Sequence, residues 1–194
     1  MSGVHALVLA AGSGSRFGGG KLMAPWRGGV LIDGALAAAF AAPVEAVHVA
    51  AGADQRVAAH AQARGARIVQ ARDHALGLSA SLKAGIAALP PDAAGVLVFL
   101  GDMPLVPHAV LTPLVQAIAA GAPAAAPTFE GRIGHPAALS AGLFAEVMGL
   151  QGDRGARALL DGLGEALVRI PAPGAGVLTD VDRPEDLDPG ELPA

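Results

Sequence analysis

The 194-residue chain has no cysteine, which excludes disulfides, thiolate nucleophiles and zinc sites with cysteine ligands. Aromatic residues make up only 3% of the sequence, too few to form a platform for base stacking. No uninterrupted apolar stretch reaches the roughly 20 residues that a membrane helix needs. No basic segment precedes the first apolar run, as it would in a signal peptide. We therefore expect a cytoplasmic protein with no membrane partner.

Positive charge is also sparse. Lysine and arginine together number 13 against 17 acidic residues, which gives a formal net charge of −4, and the basic residues form no cluster. Binding to a nucleic-acid backbone needs a basic face, so nucleic acid is not an expected partner. The length suits one domain with a sizeable core.

Glycine, by contrast, is concentrated in the segment 9–21, which follows an apolar run at 4–9. Glycines at 12, 14, 18, 19 and 20 leave the backbone N–H groups of this segment accessible to an anion. Arg16 and Lys21 add two positive charges beside these donors. We interpret the segment as a loop that holds a triphosphate, with a merely flexible turn as the alternative.

Two known glycine-rich motifs do not fit this loop. The dinucleotide fingerprint needs glycine at position 17, where the chain has Phe17, and Asp33 lies at the start of a predicted helix, not at a strand end. The P-loop motif needs glycine at position 15 and serine or threonine after the lysine, where the chain has Ser15 and Leu22.

Strand-like and helix-like patterns alternate along the chain. Short, fully apolar strands that alternate with helices indicate a mostly parallel sheet covered on both faces. We therefore expect an α/β fold: a single-domain, doubly wound sheet over residues 1–188, followed by a flexible tail at 189–194. The predicted strands are 4–9, 46–50, 67–69, 95–100, 124–127 and 166–170, and the predicted helices are 31–42, 54–64, 79–89, 109–120, 141–148 and 153–163.

Asp102 lies where the buried strand predicted at 95–100 ends, between Gly101 and Pro104. Ligands of such sheets bind at the carboxyl ends of the strands, and Mg²⁺ favours one or two carboxylates together with phosphate oxygens. We interpret Asp102 as a metal ligand. The alternative is that it caps the helix that begins near Pro107.

A second acidic cluster occupies residues 180–186. In an extended segment the carboxylates of Asp180 and Asp182 point to the same side, which suits a second ligand for the cation. A structural role also fits, since Glu185 and Asp186 would lie in the first turn of a helix that opens at Pro184. The two interpretations are compatible.

Taken together, these motifs resemble the nucleotidyltransferase superfamily, which has a Rossmann-like fold, and within it the molybdenum cofactor cytidylyltransferases. The resemblance runs from residue 4 to about 188. Each motif alone is weak, whereas their occurrence in this order is specific. The segments that carry it are 9–21, 77–82, 101–104, 134–136, 152–157 and 180–186.

The resemblance implies a reaction in which the terminal phosphate of the molybdenum-pterin cofactor attacks the α-phosphate of CTP. Pyrophosphate leaves and a cytosine dinucleotide form of the cofactor remains. Arg16 and Lys21 would hold the β- and γ-phosphates, and Asp102 with Asp180 or Asp182 would hold Mg²⁺. The implied protein partner is a xanthine dehydrogenase-type molybdoenzyme or its maturation chaperone.

The nucleotide-binding residues that the resemblance implies are Leu9, Ala10, Ala11, Gly12, Ser13, Gly14, Lys21, Ser79 and Ser81. Ala11 stands where relatives that use GTP tend to have glycine, and its methyl group favours the smaller cytosine, although a difference of this size discriminates by only about 1–3 kcal/mol. Ser79 and Ser81 would contact the base or, alternatively, cap the helix that begins there.

On the acceptor side, the resemblance points to His135, Asp153, Arg154 and Arg157 as residues that contact the pterin cofactor. The alternatives are a structural histidine and a capped helix with exposed arginines. One departure from the family pattern is Gly20, where many relatives have asparagine or aspartate. The other functions left open are guanylyl transfer to the same cofactor, nucleotidyl transfer to another small phosphorylated metabolite, and a non-catalytic cofactor carrier.

Overall fold

The computed structural model describes residues 3–12, 17–73, 77–152 and 155–187. The strands are β1 (Val4–Ala10), β2 (Pro25–Trp26), β3 (Gly29–Val30), β4 (Val47–Ala51), β5 (Arg67–Gln70), β6 (Gly95–Leu100), β7 (Ala124–Phe129), β8 (Arg132–Ile133), β9 (Ala137–Ser140) and β10 (Leu167–Pro171). The helices are α1 (Ile32–Ala41), α2 (Gln55–Ala63), α3 (Leu78–Ala87), α4 (Leu111–Ala119), α5 (Phe144–Gly149) and α6 (Ala156–Gly162).

Most of the described strands form one sheet in the order β10-β7-β9-β6-β1-β4-β5, with β8 paired to β7. The central strands β6, β1, β4 and β5 are mutually parallel, as are β10 and β7. This arrangement confirms the predicted doubly wound, mostly parallel sheet. Because the strands are parallel, the carboxyl ends of β1, β4 and β6 meet at one edge, where ligands of such sheets bind.

Helices cover both faces of the sheet because the side chains of each strand alternate between them. In β6, Leu97 and Phe99 join the cluster on the α1 and α4 face, whereas Val98 joins the cluster on the α3 face. Each such buried side chain contributes roughly 1.5–3 kcal/mol of burial free energy. Among the described residues no helix is long and apolar enough to cross a membrane.

The predicted strands agree with the observed ones to within a residue at each end, except that β7 extends two residues past the predicted end at 127. The pattern did not predict β9, which is four residues long and runs antiparallel to both β6 and β7. The hairpin of β2 and β3 was also not predicted. The helix predicted over 54–64 is α2, and Asp54 is its N-cap, since its carboxylate accepts the N–H of Arg56 at 3.1 Å. The predicted tail 189–194 lies outside the described residues, and the domain boundary at 188 stays a prediction.

Candidate active site

A cleft of about 260 Å³ opens where β1 ends. Its walls come from the end of β1, the segment before the first short helical turn and the residues that follow β4. The side chain of Leu9 is buried in the core, and its carbonyl oxygen accepts the N–H of Gly101 at 3.0 Å, so its role in nucleotide binding stays a prediction. The lining residues are Ala10, Ala11, Gly12, Gly20, Lys21, Leu22, Gly52, Ala53, Asp54 and Val57.

Part of the predicted triphosphate loop is described and part is not. Ser13, Gly14 and Arg16 lie outside the described residues. After them, Gly20 has a φ of 66° and precedes a 3-10 turn over Lys21–Met23. Glycine adopts this left-handed conformation at little cost, so Gly20 fits the turn that presents Lys21 to the cleft.

The wall after β4 was not predicted from the sequence. Gly52 approaches the backbone of Ala11 so closely that a Cβ at position 52 would lie 2.8 Å from the Ala11 carbonyl oxygen. Glycine is therefore required for this approach. The information that was missing is the strand order, because only the pairing of β4 with β1 brings Gly52 beside Ala11.

Lys21 lies between two carboxylates. Its Nζ donates a hydrogen bond of 2.8 Å to Oδ2 of Asp102 and lies 3.4 Å from Oδ1 of Asp182. The lysine side chain is 11% exposed, against 26% for Asp102 and 44% for Asp182. The structure thus brings together three of the predicted site residues from three separate parts of the chain.

Asp102 is free of the helix-capping role that was the alternative for it. The short 3-10 helix that follows, His108–Val110, is preceded by Pro107 and receives no side-chain cap. Asp186, in contrast, has the structural role foreseen for its segment: its Oδ2 accepts the backbone N–H groups of Asp182 and Arg183 at 2.9 and 2.8 Å. These bonds hold Asp182 in place beside Lys21.

Asp180 makes no described hydrogen bond or ion pair with Lys21. The charges of Lys21, Asp102 and Asp182 nevertheless influence its pKa. Partial removal from water raises the pKa of Asp180 above its usual value, and the negative charges of Asp182 and Asp102 raise it further. Lys21 opposes this rise. The raised pKa of Asp180 therefore reflects burial first and the neighbouring carboxylates second.

A divalent cation suits this arrangement of oxygen ligands. Among the described residues no group of three or more histidine, aspartate or glutamate side chains is arranged to hold a metal ion alone. Mg²⁺ binds in many nucleotide sites through one or two carboxylates, with phosphate oxygens and water completing the shell. Asp102 and Asp182, which converge on one point, fit that smaller requirement.

Ser79 and Ser81 are both buried on α3, and neither lines the cleft at β1. Gly77, with a φ of 103°, precedes α3 without a side-chain cap, so the serines do not cap this helix. Ser79 lines a separate cleft of about 520 Å³ together with Lys83 and Gln151. The structure therefore separates Ser79 from the cleft that holds Lys21.

His135 lies near Asp102. It precedes a cis peptide bond to Pro136, and its backbone N–H donates to the Val177 carbonyl at 2.8 Å. Its Nδ1 atom is buried and has no hydrogen-bond partner among the described residues. Burial lowers the pKa of His135 to about 4, although the negative charge of Asp102 opposes the shift. The imidazole is therefore neutral at pH 7.

Of the remaining acceptor-side residues, Asp153 and Arg154 lie outside the described residues. Arg157 is half exposed and is held by two partners: Asp161, whose Oδ1 is 2.8 Å from Nε, and the Ile133 carbonyl, 2.7 Å from the terminal nitrogen. The positive charge of Arg157 contributes to the lowered pKa of His135. These two predicted residues are therefore within electrostatic range of each other.

The fold and site together comprise a mostly parallel α/β sheet, a glycine-lined cleft at the end of its first strand and a carboxylate just after the neighbouring strand β6. The family model of the MobA-like NTP transferase domain matches residues 6–168. The chain belongs to the MobA-like NTP transferase family.

Solved structures show the same fold. The Rv0371c protein of Mycobacterium tuberculosis is 26% identical, with a TM-score of 0.82 and coverage of 95% of each chain. A nucleotidyl transferase from Methanothermobacter thermautotroptrophicus is 26% identical, with a TM-score of 0.79 and coverage of 96% of this chain and 94% of the other. A complex of the Mycobacterium tuberculosis protein with manganese is 24% identical, with a TM-score of 0.75 and coverage of 88% and 89%. A comparison with the curated proteins finds no match.

Proposed function

We propose that this protein transfers CMP from CTP to the terminal phosphate of the molybdenum-pterin cofactor and releases pyrophosphate. The observation that carries the proposal is the convergence of Lys21, Asp102 and Asp182 beside the glycine-lined cleft. In this reaction an oxygen of the acceptor phosphate forms a bond to the α-phosphorus of CTP. The bond between that phosphorus and the oxygen that bridges to the β-phosphate breaks, and its electron pair leaves with pyrophosphate.

The chain needs no nucleophilic side chain for this chemistry, because the attacking atom belongs to the acceptor. Its residues position the reactants and stabilise charge. Lys21 and the backbone N–H groups of the loop hold the β- and γ-phosphates, and Arg16, outside the described residues, joins them in this role. Lys21 also neutralises the charge that accumulates on the leaving pyrophosphate.

Asp102 and Asp182 are the residues that would hold a divalent cation, and the manganese complex of the Mycobacterium tuberculosis protein supports a divalent metal in this fold. When bound, such a cation supplies charge stabilisation at the α-phosphate. We assign the smaller role to Asp180, because Asp182 has the contact with Lys21. Mg²⁺ is the proposed ion, since it favours carboxylate and phosphate oxygens together.

One feature of the cleft supports cytosine as the base. Ala11, whose backbone meets Gly52, lines the cleft and narrows it by one methyl group relative to glycine. The predicted contacts of Ser79 and Ser81 with the base have no such support, because neither serine lines this cleft and Ser79 lines the second one.

On the acceptor side we propose His135 and Arg157, together with Asp153 and Arg154 beyond the described residues. The neutral imidazole of His135 leaves a buried Nδ1 without a partner among the described atoms, and a bound cofactor would give it one. Arg157 supplies positive charge for the cofactor phosphate. Asp102 and Arg157 both lie close enough to His135 to influence its pKa.

The test is pyrophosphate release with each of the four nucleoside triphosphates, Mg²⁺ and the molybdenum-loaded cofactor. We expect cofactor-dependent release with CTP, abolished in Asp102→Asn and retained in Asp92→Asn. The control residue lies in an exposed turn before β6, away from the cleft. Release with GTP in place of CTP would overturn the base assignment. If the protein binds the cofactor but releases pyrophosphate from no nucleotide, it is a cofactor carrier. If pyrophosphate is released only with another phosphorylated metabolite, that metabolite is the acceptor in place of the molybdenum-pterin cofactor.

A further inference from the structure

The contact between Lys21 and the two carboxylates raises a question that the proposed function leaves open, namely which partner the lysine has at each stage. A lysine ammonium has three N–H donors. In the structure one donates to Asp102 at 2.8 Å, and Nζ also lies 3.4 Å from an oxygen of Asp182. Most of the donor capacity of Lys21 is therefore directed at carboxylates.

The same ammonium is needed in two places. Lys21 lines the cleft where the triphosphate would bind, and it neutralises the carboxylates where a divalent cation would bind. A cation seated on the oxygens of Asp102 and Asp182 would lie within a few ångströms of Nζ, and two positive charges at such a distance repel each other strongly. The lysine and the cation therefore compete for the same oxygens.

The local backbone places Lys21 where its side chain can reach both the nucleotide cleft and the carboxylates of Asp102 and Asp182. The 3-10 turn over Lys21–Met23 begins after Gly20, at the border between the cleft and the carboxylates. The lysine side chain is 11% exposed, so solvent screens its charge only weakly. Its pairing then has a direct effect on how strongly the carboxylates attract a cation.

Resting on the proposed function, we propose that Lys21 is a built-in counter-ion of Asp102 and Asp182 that moves to the nucleotide phosphates when a divalent cation takes its place on the carboxylates. Each event favours the other. The cation releases the lysine for the phosphates, and the phosphates draw the lysine away from the oxygens that the cation needs. By thermodynamic linkage, nucleotide then tightens metal binding by the same factor by which metal tightens nucleotide binding.

The exchange predicts an effect that a purely phosphate-binding lysine would not have. Replacing Lys21 with the uncharged methionine removes the competitor from the carboxylates. The variant should therefore bind Mn²⁺ more tightly than the wild type in the absence of nucleotide, by roughly 3- to 10-fold. Lys21→Arg keeps the positive charge and should bind Mn²⁺ like the wild type.

The experiment measures Mn²⁺ binding by the loss of the free-ion electron paramagnetic resonance signal, without nucleotide and then with CTP. Lys83→Met is the matched control, since it removes the other lysine of the chain, which lies on α3 at the second cleft. Asp102→Asn locates the bound ion at the proposed carboxylates. Thermal unfolding of each variant verifies that it is folded before titration.

We expect tighter Mn²⁺ binding in Lys21→Met alone, no change in Lys83→Met, and a smaller effect of CTP on Mn²⁺ affinity in Lys21→Met than in the wild type. Equal or weaker Mn²⁺ binding by Lys21→Met would overturn the exchange, as would no Mn²⁺ binding in any variant. The proposed function fails separately: tighter Mn²⁺ binding in Lys21→Met, with no pyrophosphate release from the wild type, would leave the exchange standing and remove the reaction.

Discussion

The backbone N–H of Val181 donates a hydrogen bond of 3.0 Å to the carbonyl oxygen of Asp102. This bond joins the segment after α6 and β10 to the end of β6, two regions that lie about eighty residues apart in the sequence. Val181 itself is buried in the core, which anchors the acidic residues on either side of it. The site at the sheet edge is thus completed by the last described part of the chain.

Asp182 should matter more than Asp180 for metal binding and turnover. We expect Asp182→Asn to lower kcat/KM by roughly 10- to 100-fold, because it removes a charge that contacts Lys21. Asp180→Asn should lower it by less than about threefold, since this side chain is exposed and makes no described contact with the lysine. Steady-state pyrophosphate release compares the two variants directly, and a larger loss in Asp180→Asn would reverse the assignment.

Gly52→Ala should impair nucleotide binding. The added Cβ would lie 2.8 Å from the Ala11 carbonyl oxygen, so the backbone must shift at the wall of the cleft, at a cost of about 1–3 kcal/mol. We expect nucleotide affinity to fall by roughly tenfold, measured by calorimetry. Gly149→Ala is the control, because a Cβ there meets no atom within 4 Å. Unchanged affinity in Gly52→Ala would mean that this wall does not contact the nucleotide.

Stability should fall as the pH drops from about 7 toward 4, owing in part to a buried pair of histidines. His5 on β1 and His48 on β4 contact each other with ring nitrogens 3.4 Å apart. The pKa of His48 is lowered from 6.5 to about 4, chiefly by burial and then by the neighbouring charges of His5 and Arg67. The unfolded chain therefore binds the proton first, and stability that is complete above pH 6.5 is lost below it.

The expected loss from His48 alone is about 2 kcal/mol at pH 5 relative to pH 7.5. In His48→Gln this contribution disappears, so the free energy of unfolding should depend less steeply on pH than in the wild type. Urea unfolding at the two pH values measures the difference. An equal pH dependence in both proteins would show that His48 does not titrate as the structure indicates.

Asp33 should stabilise the packing of α1 against α2. Its Oδ1 lies 2.6 Å from His60 and 3.0 Å from Arg64, both from the α2 side, and its Oδ2 accepts the N–H of Val30 at 2.9 Å. Burial opposes the charged form, yet these hydrogen bonds and positive charges together lower the pKa of Asp33. Its contribution is therefore present above about pH 4 and is lost as the pH falls through the lowered pKa.

We expect Asp33→Asn to lower the free energy of unfolding at pH 7 by about 1–3 kcal/mol, since the remaining partners lose a charged acceptor. Asp161→Asn is the matched control. It breaks the exposed pair with Arg157, which should change stability by less than about 1 kcal/mol. Urea unfolding at pH 7 measures both changes in the free energy of unfolding. Equal changes in the two variants would show that Asp33 stabilises the fold no more than an exposed ion pair does.

The sheet was predictable because its parallel strands are buried on both faces and therefore appear as short apolar runs, as in β1 and β6. The strand β9 was not predictable on this basis. Its four residues, Ala137–Ser140, form a run too short to distinguish from a loop, and the partners that make it a strand include β6, which is distant in sequence. Non-local pairing of this kind leaves no local pattern.

The candidate site was likewise predictable from the sequence only in part. The sequence pointed to Lys21, Asp102 and Asp182 because each belongs to a motif, and the structure brings them together. It could not choose between Asp180 and Asp182, which depends on how the segment turns at Val181. It also assigned Ser79 and Ser81 to the nucleotide, whereas neither lines the cleft beside Lys21. Side-chain direction follows from the exact start of α3, which is the least certain part of a pattern-based prediction.

β9 also covers two strand edges at which other chains could otherwise pair. It pairs with β6 on one side and β7 on the other, so a strand of four residues joins the two halves of the sheet. Without that strand, β6 and β7 would each offer a row of unpaired backbone groups, which is a template for association with neighbouring molecules. β9 thus keeps the facing edges of β6 and β7 inside the sheet, and β5 and β10 stand at the two ends of the described strand order.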